Sequence, residues 1–276
     1  MSGTIPIIWK DVFKNWKAGF AVFFTQNTLF KTRPFIGFVH ALVAWGFTLY
    51  LVVNIVDVLY GFIPNFKFLP DSIIGDIYRL FVDTFSVLVL VGVLYLLVRR
   101  FIIKDDRLLT KDPVMLSDKA QKGMLIDSLL VGAFIIIHIG SRFLSASFEI
   151  AIHGPDRSQP AANFMASFWS NMPMETLHLS EHITWWLALG LILAFLPYFP
   201  FSKHAHLFMG PLNIMAAVDR RSMAAIETID FENEELEQFG ASNIQHLPQT
   251  QLLDGYACIQ CSRCQDACPA YETGKE

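Results

Sequence analysis

Four long apolar stretches constrain this chain more than any other feature. A helix needs about 20 mainly apolar residues to cross the hydrocarbon core of a bilayer. Stretches of that length run over about Phe35–Leu59, Ile77–Val98, Met124–Phe148 and His182–Phe201. The last holds Pro197 and Pro200, which kink or end a helix. Of the 276 residues, 53% are hydrophobic and only 17% charged, whereas a soluble domain carries about a quarter. Mean hydropathy is +0.42. The 25 Phe and 6 Trp suit lipid contact. A net charge of −4 offers no basic surface to a phosphate backbone, which excludes nucleic acid as a partner. No continuous apolar run precedes a small-residue cleavage site in Met1–Gly19, so no cleaved signal peptide is expected.

Basic residues set the expected orientation. The link between the second and third stretches holds Arg99, Arg100, Lys104, Arg107, Lys111, Lys119 and Lys122. The other two links hold Lys67 and Arg157, and Lys10, Lys14, Lys17, Lys31 and Arg33 precede the first stretch. Lysine and arginine stay on the cytoplasmic side. Both termini and the 99–122 link are therefore expected to face the cytoplasm from the inner (cytoplasmic) membrane. Trp9, Val12, Phe13, Trp16 and Phe20 repeat at helical spacing with lysines beside them, which reads as a helix lying in the inner interface. A fifth span is the alternative, at the expense of lysines in the membrane centre.

The four cysteines read Cys258-Ile-Gln-Cys261-Ser-Arg-Cys264-Gln-Asp-Ala-Cys268-Pro269. This is the C-x2-C-x2-C-x3-C-P run of a bacterial-type [4Fe–4S] site. Zinc is the competing metal, because paired C-x2-C also suits it. In proteins with two such runs the fourth cysteine serves the other cluster. Cys258, Cys261 and Cys264 would then hold one cluster and Cys268 a second, with the missing ligands coming from a downstream region or a partner subunit. One cluster held by all four cysteines is the alternative.

Ionisable residues inside apolar stretches are functional candidates. His40 lies near the cytoplasmic start of the first stretch, and His204 and His206 lie just past the end of the fourth. Two imidazoles at matched depth on separate helices can hold a b-type haem. His204 and His206 are about 200° apart on a helix, so only one of them ligates. His138 in the third stretch and His182 at the outer start of the fourth are candidates for a second, outer haem; His178 lies beside them. Otherwise they are packing or quinone-site residues. Asp83, Asp127 and Arg142 also lie within the stretches.

Three segments carry a resemblance. They are Pro34-Phe35-Ile36-Gly37-Phe38-Val39-His40 with Trp45-Gly46-Phe47, then Ser202-Lys203-His204-Ala205-His206 with Pro211-Leu212-Asn213, and the cysteine run with Pro269-Ala270-Tyr271-Glu272-Thr273-Gly274-Lys275. Together they resemble the N-terminal part of membrane-bound iron–sulfur reductases related to heterodisulfide reductase. The membrane domain of those proteins is similar to the gamma subunit of respiratory nitrate reductase. The resemblance covers essentially the whole chain. It implies a quinone-linked relay between a cytoplasmic donor (electron-transfer flavoprotein, or a heterodisulfide or thiol system), iron–sulfur clusters, b haem and a quinone. It also implies a second cysteine run and cysteine-rich CCG domains as downstream or separate partners.

The nitrate reductase subunit has a further haem ligand ten residues after the counterpart of His40, where this chain has Tyr50. Another lies eighteen residues before the counterpart of His206, where this chain has Ala188. The inner pair, His40 and His206, is intact, so one inner haem b is expected; an outer one needs His138 and His182. The competing reading is a haem-free anchor that docks an iron–sulfur catalytic subunit.

The expected fold is an all-α integral membrane protein, a four-span helix bundle with a small C-terminal ferredoxin-like [4Fe–4S] segment. Residues 1–34 form the interfacial region, 35–218 the transmembrane bundle, 219–255 an acidic cytoplasmic linker, and 256–276 the start of an incomplete iron–sulfur domain.

Overall fold

A computed structural model of the chain describes residues 6–66, 68–69, 72–108, 117–216, 232 and 241–274. Every regular element among the described residues is helical. The α-helices are α1 (Trp9–Lys14), α2 (Trp16–Thr25), α3 (Asn27–Thr32), α4 (Pro34–Phe62), α5 (Ile73–Val98), α6 (Asp118–His153), α7 (Pro160–Ala166), α8 (Met174–Phe195), α9 (His206–Ala216), α10 (Gln249–Ala257), α11 (Arg263–Asp266) and α12 (Pro269–Glu272). Helices α4, α5, α6 and α8 are long and apolar enough to cross a membrane.

The boundaries follow local chemistry. Pro34 opens α4, where its missing N–H removes no helical bond. Ser72 caps α5 by accepting the Gly75 N–H at 3.1 Å, and Ser117 caps α6 through the Ala120 N–H at 3.3 Å. Gly154, at φ +103°, ends α6 in a conformation that suits glycine. Helix α8 begins at Met174, eight positions before the apolar stretch, and stops at Phe195 just ahead of Pro197. His178 and His182 thus lie inside a helix.

The chain forms two compact units. The larger comprises Leu29–Ser202 and Ser262–Glu276. Its core joins Tyr50 and Val53 of α4, Val89 and Val93 of α5, and Val131, Ile135 and Ile139 of α6. Lipid is as apolar as leucine, so helices in a membrane cohere through close packing and polar contacts. Gly46 illustrates the first: a β-carbon there would stand 2.2 Å from Val89 Cγ2.

The smaller unit comprises Met1–Thr28 and Lys203–Cys261. Val12, Ala216 and Leu253 are buried together, with Met209, Leu212 and Met215 against them. Asn15 donates to the Met215 carbonyl at 3.3 Å, and Asn213 donates to Asp254 at 2.7 Å. A β-carbon on Gly19 would meet Met215 Cγ at 2.6 Å, so α2 and α9 touch closely. Trp9, Phe13, Trp16, Phe20 and Phe24 remain exposed. Helices α1 and α2 therefore carry one packing face and one bare aromatic face. Of the expected 219–255 linker, residues 219–231 and 233–240 lie outside the described residues. Its last part is not a bare connector: α10 packs into this unit through the fully buried Leu253.

Overpacking a close helix contact costs about 1–3 kcal/mol. Gly46→Ala is expected to lower thermal stability in detergent, and adding Val89→Ala is expected to restore part of the loss. Melting curves followed by helical circular dichroism check both.

Candidate functional site

The cysteine run starts at the end of α10. Cys258 Sγ accepts the Gln260 N–H at 3.4 Å. Gln260 (φ +55°) and Ser262 (φ +61°) are both left-handed, on either side of Cys261. Such residues turn the chain sharply and let successive N–H groups face an anion, as in many iron–sulfur sites. Cys264 lies in α11, and Cys268 precedes Pro269 at the start of α12. None of the four is in a disulfide. Among the described residues no three His, Cys, Asp or Glu side chains are gathered closely enough to hold a metal ion. The donor set and its left-handed turns fit an iron–sulfur cluster; gathering the thiolates falls to the cluster itself, since metal binding and folding are coupled.

The histidines divide by environment. His40 is half-buried in α4. His204 is buried in the short turn Lys203–Ala205. His206 opens α9, and its Nδ1 lies 2.5 Å from the Lys203 carbonyl. A carbonyl only accepts, so Nδ1 carries the proton and Nε2 the lone pair. That is the tautomer of a metal-ligating histidine. Burial holds the His206 imidazole below its ordinary pKa, against the opposing pull of the Lys203 carbonyl. His40 and His206 belong to different compact units.

His138 is buried in α6 and donates Nδ1–H to the Ala188 carbonyl at 3.0 Å. Its buried Nε2 has no hydrogen-bond partner among the described residues. The ring stacks on Phe134 at 5.6 Å and meets Tyr50 edge-on at 6.0 Å. Tyr50 and Ala188 thus both adjoin His138. His182, by contrast, has a side chain 74% exposed, 3.8 Å from Glu181. It precedes Ala188 by six residues, about 9 Å along α8 and about 240° around it. The structure does not bring His138 and His182 to one centre.

A cavity of about 790 Å³ opens where α4 and α6 end and α5 and α8 begin. This is the end of the bundle away from Arg99 and Arg100, which follow α5. Its walls hold the Asp57–Arg142 ion pair, at 2.7 Å, and the Tyr50 hydroxyl, 2.7 Å from Ser86 Oγ. Tyr60, Tyr78, Phe143 and Trp185 add aromatic surface. Six carboxylates against three arginines line it, which disfavours an anionic occupant.

Sequence reasoning missed Asp57, although a carboxylate within an apolar stretch was a visible signal. It read Arg142 alone, whereas the pairing needs both. The other acidic residues have local duties. Asp83 accepts the Ala161 and Ala162 N–H groups at 2.7 and 2.9 Å and so caps α7. Asp127 accepts the Tyr198 hydroxyl at 2.7 Å.

Fold and site together define an all-helical chain with four helices fit to cross a bilayer and an appended cysteine run of iron–sulfur type. The chain is similar to a probable iron–sulfur-binding oxidoreductase, FadF, of Bacillus subtilis (strain 168): 32% identity over 257 residues, covering 91% of this chain and 34% of that protein. It is also similar to an EtfAB:quinone oxidoreductase of Syntrophomonas wolfei, with 28% identity over 257 residues, covering 93% of this chain and 35% of that protein. The chain thus spans about a third of the length of these relatives. No family model matches it, and no solved structure does.

His206 yields a pH prediction. An imidazole whose folded pKa lies below about 6.5 binds fewer protons folded than unfolded, so stability falls as pH drops below that value. In haem-free protein, unfolding curves between about pH 7 and 5 should show this decline, and His206→Gln should flatten it.

Proposed function

We propose that this chain is the membrane part of an iron–sulfur oxidoreductase that relays electrons between a cytoplasmic donor and a quinone. The observation that carries this reading is the joining, in one chain, of a [4Fe–4S]-type cysteine run to a bundle of four membrane-length helices. The names of the two relatives support it. The name of the second also favours an electron-transfer flavoprotein as donor. Domains beyond this chain, in a longer protein or in a partner, supply the remaining cluster ligands and the donor's docking surface. The inner membrane is the location, with the basic 99–122 link and the cysteine run on the cytoplasmic side. The aromatic face of α1 and α2 lies in the interface.

Cys258, Cys261, Cys264 and Cys268 would hold the cluster or clusters, and His40 with His206 would hold one haem b. When bound, these groups supply one-electron chemistry. The chain's part is to place and tune them. Lys203 fixes the His206 tautomer through its carbonyl, which aims the Nε2 lone pair outward from the ring for ligation. His138 supports a single-haem reading, because it packs with Tyr50 and Ala188, the two positions where the nitrate reductase likeness places outer ligands. The cavity supplies what a quinone head group needs. It has aromatic walls, the Tyr50 hydroxyl, a donor that a quinone carbonyl can take over from Ser86 Oγ while Ser86 donates to the Val82 carbonyl at 2.6 Å, and the Asp57–Arg142 ion pair as a fixed polar wall.

The test is an anaerobic dithionite-reduced minus oxidised visible spectrum of detergent-purified protein, with iron and acid-labile sulfide assays. About one b haem per chain is expected, lost in His40→Ala and in His206→Ala and kept in His204→Ala. Labile sulfide together with no haem, in protein made with haem available, would leave the haem-free anchor. Zinc without sulfide would overturn the reading.

Quinone binding has its own readout. Removing one hydrogen-bonding hydroxyl weakens binding roughly tenfold. Titrating a quinone analogue against intrinsic fluorescence should show that loss in Tyr50→Phe, with the haem spectrum unchanged.

A further inference from the structure

We propose that Arg33 is a positioning residue that docks the second half of the cysteine run onto the N-terminal end of α4. Its consequence for electron transfer rests on the iron–sulfur reading above, but the docking itself does not.

Arg33 stands where a cation is least welcome. It is the N-cap residue of α4, at φ −144° and ψ 76°. Pro34 follows, and a residue before proline is excluded from the helical region. A helix N-terminus carries partial positive charge and favours anions. The Arg33 side chain is also only 5% exposed. A guanidinium in that position, stripped of water and facing the positive end of a 29-residue helix, requires a carboxylate. The carboxylate comes from 233 positions away: Asp266 accepts from the Arg33 guanidinium and forms an ion pair with it.

Asp266 is the last residue of α11 and lies between Cys264 and Cys268. The ion pair therefore ties the segment carrying two thiols to the start of a membrane helix. The post is rigid on the Arg33 side. The Arg33 N–H bonds to the Leu29 carbonyl at 2.8 Å, and its carbonyl accepts the Gly37 N–H at 2.7 Å. A β-carbon on Gly37 would stand 3.0 Å from the Phe30 nitrogen, so α3 folds tightly back on α4. His40 lies seven residues further along the same helix, about 10 Å down its axis. One contact thus holds the Cys264–Cys268 segment at the helix end nearest His40. It also brings a buried positive charge to a segment that carries thiolates when loaded. Net charge and nearby polar groups set cluster potentials, and a cation favours the more negative, reduced state.

The test uses the full chain with its metal centre reconstituted anaerobically, in detergent, as wild type, Arg33→Gln, Arg33→Lys, Asp266→Asn and the Arg33→Gln/Asp266→Asn double variant. The first readout is amide hydrogen exchange across 262–274. Protection of this segment is expected to fall roughly tenfold or more in Arg33→Gln and in Asp266→Asn. The double variant should lose no more than either single, as for two halves of one contact. Arg33→Lys should retain part of the protection. Asp266 is 40% exposed, so Asp266→Asn leaves the bundle folded. The second readout is the midpoint potential by redox-titrated electron paramagnetic resonance. Arg33→Gln should move it to more negative values and Asp266→Asn to more positive ones, opposite signs that loosening alone does not produce. Unchanged exchange in both single variants, or additive losses in the double, would overturn the docking role. If the preparation holds no cluster, the exchange result still decides docking, and it is the iron–sulfur reading that fails.

Discussion

A bilayer's hydrocarbon core has no water to pair with a backbone N–H or C=O, and the rest of this structure depends on that constraint. Every polar backbone group in the spanning region must be satisfied within its own segment, which only a helix achieves for a single stretch of chain. The constraint then shifts the burden of cohesion. Helices surrounded by lipid gain little from the hydrophobic effect against each other, so they must interlock. The close approach at Gly46 and Val89 is one form of interlock. The other is polar. A carboxylate and a guanidinium that cannot be hydrated must find each other, and Asp57 with Arg142 joins α4 to α6 in this way.

These polar devices give the bundle two chemically different ends. At one end lie Arg99 and Arg100, the Arg33 cap and the Cys264–Cys268 segment. At the other lie the cavity, its ion pair and the Tyr50–Ser86 hydroxyl pair. His138 lies next to the Tyr50 wall of that cavity, its proton committed to the Ala188 carbonyl and its lone pair buried.

The smaller unit follows a different rule. Helices α1 and α2 and the intervening Asn15 present Val12, Asn15 and Gly19 to their neighbours and leave Trp9, Phe13, Trp16 and Phe20 bare. In water such a face would be a liability. In the interfacial zone it is an anchor. The same unit carries His204, His206 and the first two cysteines, so its seating bears on several of the candidate ligands.

What was legible in the sequence is what local chemistry decides. Hydrophobicity over about 20 residues is a property of one segment, so the apolar body of each of the four helices could be placed, though not all of their ends. The cysteine run is equally local: its spacing names the donor type without reference to the rest of the chain. The N-terminus of α8 escaped because residues 174–181 are helical but not apolar. The packing of α10 escaped because an acidic stretch conceals one deeply buried leucine, Leu253.

Pairings between distant segments were not legible at all. Asp57 meets Arg142 across 85 positions, and Arg33 meets Asp266 across 233. His138 and His182 look alike as letters, yet one is buried with an assigned proton and the other exposed. The sequence by itself determined the apolar bodies of the four long helices and the donor type of the cysteine run, because each depends on neighbours along the chain. Only the tertiary structure decided which face of each helix turns inward. That choice determined which charges are paired, which imidazole is buried and where the cavity opens.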